Sequence, residues 1–131
     1  MAQQSVPKKV KALTTRYVRL LNERKMTDAD KILETIRDRL TTAPWHQGYY
    51  NALEGIATAL KSKDNQFLYI NRLNPKEKTR MTQLQKEFSM HSRSPLLGDF
   101  DRGYFTAWLE YLRVMKAPDS AEKLTEYLAT P

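Results

Sequence analysis

Cysteine is absent from these 131 residues and glycine is scarce, at four. The first absence excludes disulfide frameworks, thiolate metal sites and cysteine nucleophiles, and it favours a reducing compartment, so a cytoplasmic location is expected. Long apolar runs are missing too. No stretch approaches the roughly 18 apolar residues of a membrane span, and the basic N-terminal residues are not followed by the apolar core of a signal peptide, so no membrane partner is expected. The chain has no glycine-rich phosphate loop, no G-x-S-x-G and no spaced cluster of metal ligands. Its two histidines, His46 and His91, lie far apart and are expected on the surface or in loops. With no evident nucleophile, no catalytic residue, no metal and no organic cofactor are expected, and a non-catalytic role follows.

What is present is the composition of helices. Lys, Arg, Glu, Gln, Ala and Leu fill most positions, all of them residues that lose little entropy in a helix. The chain is long enough to bury a core as one domain over 1–131. The predicted fold class is all-α, a compact bundle of six to seven helices. The first helix opens near Pro7 with Ser5 as an upstream cap, and buries Val10, Leu13, Tyr17, Leu20 and Leu21 on one stripe. A second follows the cap Thr27, burying Ile32, Leu33, Ile36 and Leu40, and stops at Thr42-Ala43-Pro44. A third runs from about Trp45 to Lys61, burying Trp45, Tyr49, Leu53, Ile56 and Leu60; Gly48 and Gly55, seven apart, share a face on which another helix can approach. A short fourth lies around 65–73, a fifth starts at Asn74-Pro75, and 89–98 form the longest loop. Asp99 caps a sixth with Phe100, Tyr104, Ala107, Trp108, Tyr111 and Met115 inward, and a short last helix follows Asp119.

Two segments echo each other. Trp45-His-Gln-Gly-Tyr-Tyr-Asn-Ala-Leu aligns without gaps on Phe100-Asp-Arg-Gly-Tyr-Phe-Thr-Ala-Trp, at an offset of 55 that pairs Gly48 with Gly103 and Ala52 with Ala107. This predicts two related helical hairpins, arising either from internal duplication or from glycine and alanine independently marking close helix crossings; the second cause is the commoner one. The tetratricopeptide signature is not met, because the glycine comes one position early and 55 exceeds that family's period of about 34.

Charge is unevenly spread. The net charge is +7 and the isoelectric point about 9.7. Residues 1–25 carry Lys8, Lys9, Lys11, Arg16, Arg19, Arg24 and Lys25 against Glu23 alone; 61–93 carry eight basic groups against three acidic ones, and the flanks 26–60 and 94–131 are each −2. A surface built only for solubility intersperses its signs. Cations along a helix face can follow a phosphate backbone, whereas no base-reading motif is present. The expected function is a non-catalytic module binding nucleic acid, RNA ahead of DNA, or a ribonucleoprotein, through Lys8, Lys9, Lys11, Arg16, Arg19, Lys76, Lys78 and Arg80. The alternative is an adaptor that binds a protein partner in an aromatic groove of Trp45, Tyr49, Tyr50, Glu54, Arg102, Tyr104 and Trp108. An acidic protein surface would suit the same cations.

Overall fold

The computed structural model describes residues 5–61 and 77–116. They form five α-helices, α1 (Lys8–Asn22), α2 (Met26–Arg39), α3 (Pro44–Lys61), α4 (Lys78–Arg93) and α5 (Asp99–Lys116), and no strand occurs among the described residues. The expected six to seven helices are thus corrected to five here; the short helices expected around 65–73 and after Asp119 lie outside the described residues. The expected loop over 89–98 also shrinks, because α4 continues to Arg93 and only 94–98 separate it from α5. Residues 89–93 hold neither proline nor glycine, which lie further on at Pro95 and Gly98, so the absence of an apolar stripe there marked exposure rather than a break.

Local chemistry sets the ends. Pro44 opens α3 at the first helical position, where its missing N–H removes no bond. Ser5 does not cap α1: Pro7 takes the capping position without a side-chain bond, and the Pro7 carbonyl accepts from Val10 and Lys11. α1 ends in a Schellman turn, with Lys25 N–H on the Leu20 carbonyl (2.9 Å), Arg24 N–H on the Leu21 carbonyl (3.0 Å), and Arg24 left-handed at φ 62° in the place glycine usually takes.

Hydrogen bonds fix the direction of α1 relative to α3. Thr14 meets the Tyr49 hydroxyl (2.9 Å), the Tyr17 hydroxyl donates to the Leu53 carbonyl (2.8 Å), and Arg24 donates to the Leu60 carbonyl (3.3 Å). Partners advance together along both helices, so α1 and α3 are parallel. α3 and α5 make the most extensive contact in the bundle. They meet through their first turns: a Cβ on Gly48 would overlap the Phe100 carbonyl oxygen, 2.8 Å from its carbon, and a Cβ on Gly103 would overlap the Trp45 carbonyl in the same way. Two 18-residue helices joined at their first turns touch over their length only if they run the same way, so α1, α3 and α5 are co-directed, while α2 and α4 return the chain. Ala52 and Ala107, one turn past each glycine, are fully buried and keep the approach close.

The core joins all five helices around Tyr17, Leu21, Ile36, Tyr49, Leu53, Ile56, Met81, Tyr111 and Leu112. On α1, Val10, Tyr17 and Leu21 are buried as expected, but Thr14 and Val18 complete the stripe, while Leu13 and Leu20 are only partly buried. Thr14 tolerates burial because its hydroxyl bonds both the Val10 carbonyl and Tyr49. Gly55, expected to receive a neighbouring helix, is exposed with nothing within 4 Å of a Cβ.

Candidate nucleic-acid interface

α5 carries Arg102, Thr106, Leu109 and Arg113, spaced four, three and four residues apart and therefore aligned along the helix, with Leu109 buried and Arg113 exposed. On α4, Lys86 and Arg93 lie seven apart, about two turns, on one face together with Ser89. Antiparallel packing of α4 on α5 sets these rows side by side. Between them lie two adjoining hollows, of about 720 and 490 Å³, that share Ser89, Arg93, Leu109 and Arg113. The larger reaches the start of α1 at Ser5, Val6 and Lys11; the smaller runs along α4 past Lys86 and Met90. Together they form one furrow.

Its charge is one-sided. Among the described residues, Lys11, Lys86, Arg93, Arg102 and Arg113 line it with one carboxylate, Glu110, while Asp99 pairs with Arg102 from beside it. Arg102 is largely spent on structure: it donates to the Ser94 carbonyl (3.0 Å) and the Leu97 carbonyl and pairs with Asp99, holding the α4–α5 turn. Arg113 contacts Glu110 at 3.3 Å, with 57% of the arginine side chain exposed but only 16% of the glutamate. Arg93 donates its Nε to the Ser89 carbonyl (3.2 Å), a bond that orients the side chain without neutralising it. The Ser89 hydroxyl also lines the walls, whereas the hydroxyls of Ser92 and Thr106 donate to the Ser89 and Arg102 carbonyls (2.8 and 2.7 Å).

Of the residues singled out in the sequence, Lys11 alone among the basic set lines the furrow. Lys8, Lys9 and Arg16 are exposed on α1 and Arg19 is half-buried there; Lys78 and Arg80 are exposed in the first turn of α4, at its far end; Lys76 lies outside the described residues. The aromatic set is divided. Trp45 and Tyr49 are buried core residues, stacked at 5.6 Å; Trp45 still lines the larger hollow, whereas Tyr49 presents no surface to a partner. Tyr50 is half-buried and donates to Glu54 (3.3 Å), with its hydroxyl pKa raised by partial burial and then by the Glu54 charge. Glu54 is exposed, while Tyr104 and Trp108 are half-buried on α5. These residues do not converge on one groove, because the α3–α5 crossing turns the first turns of both helices inward.

Sequence reasoning missed Arg113; it counted Lys86 and Arg93 only as part of the basic block 61–93, and not among the residues singled out for binding. The regular spacing on α5 was a usable signal, but it was masked by a segment whose net charge is negative. His46 was also misplaced. It is buried, and its Nδ1 accepts from the Thr41 N–H (3.0 Å), which leaves Nε2 to donate to the Ser5 carbonyl (2.9 Å). No helix among the described residues is long and apolar enough to cross a membrane. Comparisons with protein-family models, with characterised proteins and with solved structures found no match to this chain.

Proposed function

We propose that this protein is a non-catalytic nucleic-acid-binding module, with RNA as the leading ligand, that holds the phosphate backbone rather than reading bases. The observation that carries the reading is the furrow, in which Lys11 of the first basic block lines the same hollow as Arg93 of the second, Lys86 lines the adjoining one, and Arg102, Arg113 and the carboxylate of Glu110 stand beside them among the described residues. Phosphate contacts supply affinity and carry no sequence information directly. Cations outside the furrow on α1, at Lys8, Lys9, Arg16 and Arg19, extend the positive surface next to Lys11.

The test is an anisotropy titration of labelled RNA at several salt concentrations. Reversing charge at Lys86, Arg93 and Arg113 should weaken binding to all sequences alike and flatten the salt slope by roughly one unit per lost contact. Reversing Lys9, Arg16 and Arg19 should do the same to a smaller extent. Wild type that does not bind at low salt, or a furrow triple variant that is folded by circular dichroism and binds as well as wild type, refutes the proposal.

A second reading, a protein-interaction adaptor, draws support from a different place. Leu96 is 93% exposed in the turn between α4 and α5, and Met90 and Phe100, also exposed, flank that turn. Substituting Leu96 by Asp would leave RNA binding unchanged and abolish a partner contact made there.

A further inference from the structure

Among the described residues that line the furrow, Glu110 is the acid set against its cations, and its position gives it a task. It lies three residues before Arg113 on α5, contacts that guanidinium at 3.3 Å, and is recessed to 16% exposure at the base of the furrow. A carboxylate held there competes with any incoming anion for the same arginine. The furrow is walled by α4 on one side and by the start of α1 on the other. Lys11, Lys86, Arg93 and Arg113 are exposed along the helices that border this concavity, and Glu110 is recessed between them. A duplex presents its phosphates on a broad convex rim, whereas one flexible strand can lower a phosphate between two helices; a positive groove that tracks one backbone is the form single-strand binding takes. Met90, 64% exposed on the furrow wall, offers an apolar surface against which a base can lie.

We propose that the furrow takes a single polynucleotide strand, one of whose phosphates displaces the Glu110 carboxylate from Arg113. This inference rests on the nucleic-acid reading above and narrows it to strand state and to one specificity-determining residue. In the free protein Glu110 neutralises Arg113 and weakens the pull on stray anions. In the complex the phosphate takes that place, and the carboxylate, still nearby, sets a threshold that a chain with several phosphates passes more easily than an isolated one.

The experiment titrates labelled oligouridylate, and a base-paired RNA hairpin of equal length, with wild type, Glu110→Gln and Glu110→Ser at fixed salt, with inorganic phosphate as competitor. Wild type should bind the single strand at least several-fold more tightly than the hairpin. Both Glu110 variants should tighten single-strand binding by roughly two- to fivefold, the scale of one partly exposed ion pair, and should make binding more sensitive to phosphate. Two neutral replacements are used so that a folding defect in one, read from its melting curve, does not decide the result. Wild type that binds neither probe overturns this inference together with the function it rests on. Wild type that binds both probes equally, or Glu110 variants with unchanged affinity while the furrow triple variant loses it, overturns this inference alone.

Discussion

His46 closes two chain segments at one corner. Its ring accepts from the backbone of Thr41, between α2 and α3, and donates to Ser5, ahead of α1, while Gln47 donates to the Thr41 carbonyl (2.9 Å). Removing the ring strands a partly buried N–H and a carbonyl without partners. Leaving such groups unsatisfied costs about 1 to 3 kcal/mol, so His46→Ala should lower stability by that much in a urea titration. The N-terminal segment should also become more open to proteolysis, and protection equal to wild type would argue against the latch. The sequence could not reveal this role, because a lone histidine announces its partners only when the fold brings distant carbonyls to it.

At the level of elements, the crossing of α3 and α5 and the open flank of α3 make opposite forecasts for one substitution. Gly48→Ala places a Cβ on the Phe100 backbone, which cannot swing aside as a side chain can, and should destabilise by about 1 to 3 kcal/mol or more. Gly55→Ala enters open space within a helix and should stabilise by roughly 0.5 to 1 kcal/mol. Thermal melts of the two variants check both signs, and shifts in the same direction would contradict the packing. Much of this level was legible: the starts near Trp45 and Asp99, the pairing of Gly48 with Gly103, and the Tyr17, Tyr49, Leu53 and Ile56 stripes follow from spacing alone. The edge of the α1 stripe was not legible, because Thr14 is buried with a hydroxyl partner 35 positions away. Outward positions of α5 were hidden for a different reason. Segment charge sums all faces of a helix, so Arg102 and Arg113 vanish beside Asp99, Asp101 and Glu110, although the two arginines lie on one row and both line the larger hollow. Phe100, expected inward, is 41% exposed because Gly103 is the residue that faces α3.

For the whole molecule, buried phenols set an upper limit in pH. Burial raises the hydroxyl pKa of Tyr17 and Tyr49 well above its ordinary value and pushes Tyr111 up to about 12. In the unfolded chain a tyrosine ionises near pH 10, so above that value unfolding releases protons that the native state retains. Stability from these groups is therefore complete below about pH 10 and is lost as pH rises through the folded values. Urea midpoints should be lower at pH 11 than at pH 8, with phenolate absorbance appearing in step with unfolding; equal midpoints would contradict the burial of these rings. The shared direction of α1, α3 and α5 has a further effect. Each helix acts as a dipole with about half a positive charge at its N-terminus. Three such ends gather where Ser5, Trp45 and Arg102 line the larger hollow, and only α2 and α4 oppose them. That end of the bundle thus holds a positive potential written into the backbone, which remains when its lysines and arginines are replaced and which no side-chain substitution can reverse.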